Sequence, residues 1–382
     1  MRFAPRPLPF IAGLVLGLLA LSWLGSVVES PRLAESFVRF HMLINVESGY
    51  FPTARQIRAV VERRIDPDPK VHVIVGGSSV EHGVGQHETL IWTRFLQEHL
   101  GSEFRVTNLA LRAGSSTDFG NIGAELLLRE GRPVIYVAGA GVFVFATGLQ
   151  GSFYRYAMFD AWHRGYLLPW PPRDQLLADA AWRGPSELRG PALGGLLNAY
   201  LNFNDLWNFV GYEYANSNWN RLLGRRSFGP RASLADPYPT PEQYANLRYR
   251  DDMNYDMNFL MRIVKGQILS PTDPSWQGIM ALTEQMTPPR LRAVTLAIVQ
   301  LNSPYYLDRL DPTDREAYVA QAYDHARRLR EIGFRRAEVP GTDFTADDYV
   351  DRTHISVSGG QKLAVKLAPI IRTMATELGY LQ

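Results

Sequence analysis

Val71-His72-Val73-Ile74-Val75-Gly76-Gly77-Ser78-Ser79-Val80-Glu81-His82-Gly83 is the stretch that decides the fold. Its first five residues are a short, mostly β-branched apolar run. Such a run suits a strand buried on both faces, as in a parallel sheet covered by helices. Two glycines end it and allow a tight turn. Ser79 then falls at the start of the next turn or helix, where a hydroxyl is exposed and backbone N–H groups can stabilise an oxyanion.

The same rhythm repeats outward from this stretch. A helix is expected at about 87–100, stopped by Gly101, and a second strand over Phe104 to Ala110. A second helix follows at about 117–130 and a third strand over Pro133 to Ala138. Towards the C-terminus a fourth strand fits Ala293 to Leu301, then a helix at about 312–332 stopped by Gly333. A short fifth strand near 335–339 precedes a last helix at about 358–378. Strands alternating with helices indicate an α/β fold with a mostly parallel sheet.

Two regions break the rhythm. Leu8 to Val28 carry no charge, and as a helix they span about 31 Å, close to the hydrocarbon thickness of a bilayer. Arg2 and Arg6 precede the run and Glu29 follows it, which sets the N-terminus in the cytoplasm and the rest outside. A cleaved signal peptide is the rival, but Ser26-Val27-Val28 is a poor cleavage site and the run is long. We therefore expect an uncleaved single-pass anchor with an extracytoplasmic, periplasmic domain. Residues 29–67 read as a helical stalk, with Thr53 as N-cap of a helix from Ala54 to Ile65. The second break, residues 146–287, is rich in Trp, Tyr, Asn and Pro, with helices expected near 173–182, 194–222 and 253–266. The aromatic-polar stretch Tyr200 to Trp219 fits either a groove for a sugar polymer or the small core of a helical cap. Expected domains are thus 1–28, 29–67, an α/β unit of 68–145 with 288–382, and a helical insertion at 146–287.

Composition limits the function. Lys and Arg number 40 against 38 Asp and Glu, a net charge of +2, which argues against a nucleic-acid partner. Cysteine is absent, so disulfides and thiol chemistry are excluded. The glycine-rich turn lacks a P-loop lysine and a G-x-G-x-x-G pattern, so no nucleotide is expected there. His82 and His87 lack an acidic cluster at metal spacing, so no metal or other cofactor is expected, and His82 is placed at the pocket rim. The Arg221 to Arg231 stretch reads as a solvated loop, with anionic lipid or acidic polysaccharide as the other option.

In open α/β sheets, sites gather at the carboxyl ends of strands. After the first strand stands Ser79. After the second comes Asn108 to Thr117, including Gly114, whose small size lets a backbone N–H approach a substrate oxygen. Near the C-terminus stand Asp351-Arg352-Thr353-His354, three residues separating carboxylate and imidazole. A hydroxyl nucleophile needs such a base, and the base needs a carboxylate to fix its tautomer.

Taken together, Gly77-Ser78-Ser79 with Gly83, Gly114, and Asp351 with His354 before a final helix resemble the SGNH (GDSL-like) hydrolase superfamily. The likeness covers about 68–145 and 288–382. It implies a flavodoxin-like three-layer sandwich, Ser79 as nucleophile, His354 as base, Asp351 as its orienter, and the N–H groups of Ser79 and Gly114 as oxyanion donors. Ser78 stands where the family usually has Asp. The family's Gly-x-Asn-Asp after the third strand is missing from Val137 to Phe143, and Asn121 is the candidate substitute donor. One span, an SGNH-like domain and a large insertion are similar to the envelope O-acyltransfer proteins of alginate and cellulose acetylation and of D-alanyl-lipoteichoic-acid transfer. That similarity implies a serine esterase or O-acyltransferase acting on cell-envelope or exported polysaccharide, working beside a polytopic membrane O-acyltransferase. An inactive glycan-binding scaffold and a lipid esterase or thioesterase are the alternatives.

Overall fold

The computed structural model describes residues 7–34, 37–40, 52–64, 67–111, 117, 119–140, 152–181, 194–215 and 274–381. The five strands are β1 (Val71–Gly76), β2 (Phe104–Asn108), β3 (Val134–Gly139), β4 (Thr295–Ile298) and β5 (Arg336–Glu338). They form one sheet in the order β2-β1-β3-β4-β5, and every pair is parallel. The strands lie within one or two residues of their expected positions, except that β4 is shorter at both ends. β1, β3 and β4 are buried along their whole length, the condition that their mostly apolar runs require.

The helices are α1 (Pro7–Val28), α2 (Ala54–Val61), α3 (Ser79–His82), α4 (Trp92–Leu100), α5 (Phe119–Arg129) and α6 (Ser152–His163). Then come α7 (Pro171–Ala181), α8 (Gly194–Ala215), α9 (Pro274–Met286), α10 (Pro289–Arg292), α11 (Pro304–Leu307), α12 (Pro312–Glu331) and α13 (Val357–Glu377). One core joins α2 and α5 to a sheet face through Ile57, Val60, Ile74, Ile122, Leu127 and Tyr136. A second joins α4 and α13 through Val73, Val75, Trp92, Leu96, Leu367 and Ile371.

Helix α2 begins as expected at Thr53, with a full capping box: Thr53 Oγ1 accepts from the Gln56 N–H, and Gln56 Oε1 accepts from the Thr53 N–H. It stops at Val61 rather than Ile65, and its Ile57, Val60 and Val61 pack into the core of the α/β unit. Between β3 and β4, α7 and α8 match two expected helices, while α6 and α9 were not anticipated. The helix expected at 253–266 lies outside the described residues, as does Arg221 to Arg231. The buried pair Glu125–Arg173 ties α7 to α5.

Among the described residues α1 is the one helix long and apolar enough to cross a membrane. Its apolar side chains are turned outward: Leu8, Phe10, Leu16 and Trp23 are all largely exposed.

Candidate active site

The order β2-β1-β3 means that the chain leaves β1 on one side for β2 and returns on the other for β3. The crevice at the carboxyl ends of β1 and β3 is therefore the switch point of the sheet, where ligands of open α/β folds bind. Ser79 sits there. Gly76 and Gly77 turn the chain out of β1, and both must be glycine. A Cβ on Gly76 would lie 2.8 Å from the Gly120 Cα, and Gly77 has a φ of +138°. Ser78 caps α3 in a box with Glu81, whose carboxylate accepts from the Ser78 N–H at 2.8 Å. Ser79 is thus the first residue of α3, and among the described residues its N–H meets no hydrogen-bond acceptor.

His354 comes from a loop after β5. An antiparallel bridge between Tyr349 and Ile355 pinches that loop, and the Val350 N–H donates to the His354 carbonyl at 2.8 Å. The structure brings the three residues together. The Ser79 Oγ lies 2.8 Å from His354 Nε2, and His354 Nδ1 lies 2.6 Å from Asp351 Oδ2. Asp351 Oδ1 accepts from the Thr353 and His354 N–H groups, each at 2.8 Å. Burial pushes the Asp351 carboxyl up, but the hydrogen bond and charge of His354 and the two backbone N–H groups outweigh it. The group is held below its ordinary value and stays ionised. An ionised Asp351 fixes the His354 tautomer with its proton on Nδ1, leaving Nε2 free to accept from Ser79.

Residues to which the sequence alone gave no role hold these loops in register. Gln86, fully buried, donates from Nε2 to the carbonyls of Ile355 (3.1 Å) and Ser356 (2.9 Å), while its Oε1 accepts from the Trp92 N–H. It thereby fastens the Ser79 turn to the His354 loop. Gly360 permits the approach, since a Cβ there would lie 2.8 Å from Gln86 Nε2. Arg39, also fully buried, donates to the carbonyls of His82, Gly83 and Gln86. Glu81 is buried between Gly77 and Gly139, and a Cβ on Gly139 would fall 2.1 Å from its carboxyl carbon. Burial pushes the Glu81 carboxyl up against the pull of Ser78 and His354.

His82 departs from expectation. It is fully buried, not at the pocket rim, because its Nε2 is hydrogen-bonded at 2.8 Å to the carbonyl of Phe40. Of the expected oxyanion donors, Gly114 lies outside the described residues, as does the stretch 141–143. Asn121 lies fully buried in the first turn of α5. Its Nδ2 is directed at the Thr117 carbonyl at 3.5 Å, and its Oδ1 has no hydrogen-bond partner among the described residues. Among those residues no group of three or more His, Asp or Glu could hold a metal ion.

The arrangement can deprotonate a serine hydroxyl as it attacks, hold the resulting imidazolium, and return the proton to a leaving group. No family model matches this chain, and no curated protein is significantly similar to it.

Proposed function

We propose that this protein is a membrane-anchored serine esterase or O-acyltransferase acting on ester groups of cell-envelope or exported polysaccharide. The observation that carries the reading is the unbroken chain Ser79 Oγ–His354 Nε2 at 2.8 Å and His354 Nδ1–Asp351 Oδ2 at 2.6 Å. Ser79 Oγ attacks an acyl carbonyl as Nε2 takes its proton, and the N–H of Ser79 stabilises the oxyanion. His354 then protonates the departing alcohol. An acyl group on Ser79 passes in a second step to water or to a sugar hydroxyl. The 2-1-3-4-5 strand order supports the resemblance to flavodoxin-like SGNH hydrolases. The exposed apolar face of α1 supports the anchor, with the catalytic unit outside the membrane. A polytopic acyltransferase supplying the acyl group is part of this reading.

Trapping the intermediate tests it. Incubated with p-nitrophenyl acetate, the full chain in detergent gains one acetyl group, found by peptide mass spectrometry on the peptide containing Ser79. Adding an oligosaccharide acceptor moves that group to the sugar. An unmodified Ser79 peptide under turnover conditions overturns the reading. One observation favours an inactive scaffold: Asn121 directs its amide at Thr117, which leaves the Ser79 N–H as the described donor. A scaffold would bind the oligosaccharide and never carry the acetyl group.

A further inference from the structure

Helix α8 is amphipathic in the reverse sense from a helix of a water-soluble protein. Tyr200, Phe203, Trp207 and Val210 are 44%, 53%, 61% and 47% exposed. At 3.6 residues per turn they fall within an arc of about 80°. The opposite arc buries Leu201, Asn202 and Asp205. Asp205 Oδ2 pairs with Arg55 Nε at 3.2 Å and with Arg164 NH2 at 3.0 Å. Asn202 Oδ1 accepts from Arg55 at 2.8 Å and from Arg164 at 3.2 Å. The polar groups face the protein, and the aromatics face out.

The neighbour of α8 identifies what the aromatics face. Asn202 Nδ2 donates to Ser22 Oγ of α1 at 3.4 Å, and a Cβ on Gly25 would lie 3.6 Å from the Asn202 side chain. Both contacts fall in the last two turns of α1, just before Glu29, which pairs with Arg55 and Arg58 and accepts from Tyr166. The aromatic stripe thus lies on a helix packed against α1 at the end where the chain leaves the span. α8 itself is not an apolar span, since Asp205 and Glu213 interrupt it. Tyr and Trp with one polar tip suit the headgroup boundary rather than the hydrocarbon centre.

We propose that α8 lies in the outer interface of the bilayer, its stripe Tyr200, Phe203, Trp207 and Val210 seated among lipid acyl chains and headgroups. The proposal rests on the reading of α1 as a membrane span. Two helices then fix the α/β unit against the bilayer, one crossing it and one lying along it, clamped together by Arg55, Arg164, Asn202 and Asp205. A single span alone leaves a domain free to rotate about its axis; a second contact removes that freedom.

The absence of cysteine allows single-site labelling of the full chain. Variants F203C, L14C on α1 and Y323C on α12 carry an NBD fluorophore, with one copy per nanodisc of phosphatidylcholine and phosphatidylglycerol. F203C and L14C are expected to emit at shorter wavelength than Y323C. Quenching of both by dithionite should be roughly tenfold slower, as burial 5–10 Å into the interface requires. If F203C is quenched as fast as Y323C while L14C is protected, the α8 inference fails and the span stands. If all three are quenched alike, both fail. Protection of F203C only in discs with two copies, or only after adding a soluble glycan, overturns it in favour of a dimer or a sugar platform. A second measurement keeps the native stripe. In discs of brominated lipid, the wild type is expected to lose more tryptophan fluorescence than W207F, and equal losses overturn the proposal.

Discussion

The α/β unit and the α1–α8 pair solve opposite problems. In the sheet, apolar residues are buried on both faces, and the reactive groups collect at the strand ends, where Ser79 and His354 meet. In the helix pair, Asn202 and Asp205 are buried and Tyr200, Phe203 and Trp207 are turned outward. Side chains go where their surroundings accept them, so on the proposed reading the two regions meet two solvents: water around the first, lipid beside the second. The difference also separates two kinds of polar network. Around Ser79 the buried groups aim one reactive oxygen. Around Asp205 they hold elements together.

The largest effect falls on the reactive network. Asp351→Asn leaves the fold intact but permits the wrong His354 tautomer, so ester turnover is expected to fall on the order of 10³–10⁴-fold with melting nearly unchanged. A fall under tenfold would mean that Asp351 does not orient His354. Asp205→Ala strips a carboxylate from the buried Arg55 and the half-buried Arg164, and a loss of about 3–5 kcal/mol is expected from chemical unfolding in detergent. Turnover per folded molecule should hold, which keeps the two networks distinct.

Next in size is a pH effect. His72 on β1 is held neutral, its value pushed down to about 4 by burial and by the charges of Arg132 and Arg105. The unfolded chain therefore takes up this proton first, below the ordinary histidine value of about 6.5. Its contribution is complete above that value and is lost as the pH falls towards 4, on the order of 2–3 kcal/mol. His72→Leu should flatten this limb in unfolding curves taken across that range. An unchanged limb would assign the acid sensitivity to other groups, His325 first among them. The smallest effect is expected on the outer face of α8. Tyr200→Ser should change stability in detergent by less than about 0.5 kcal/mol, against the severalfold larger cost at Asp205 on the same helix.

Much of this was legible in the residues. Runs such as Val71 to Val75 and Val134 to Ala138 specify strands locally, and Gly101 and Gly333 end helices because they take positive φ. Asp351 and His354 lie three apart, so their pairing is a local matter. What escaped the sequence is long-range. Gln86 reaches Ile355 and Ser356, Arg39 reaches Gly83, and His82 is captured by Phe40. No local spacing encodes such partners. The inward polar face of α8 was hidden for the same reason: Asn202 and Asp205 look solvated until Arg55 and Arg164 come to meet them.

The central claim is that Ser79 is an activated nucleophile. The direct measurement is labelling of the full chain with a fluorophosphonate, followed by intact mass and by peptide mapping, in the wild type, Ser79→Ala and His354→Gln. The account predicts one adduct on Ser79 in the wild type, none in Ser79→Ala, and labelling slowed at least about 10²-fold in His354→Gln. Equal labelling of wild type and Ser79→Ala, or no labelling of a folded wild type, would contradict it.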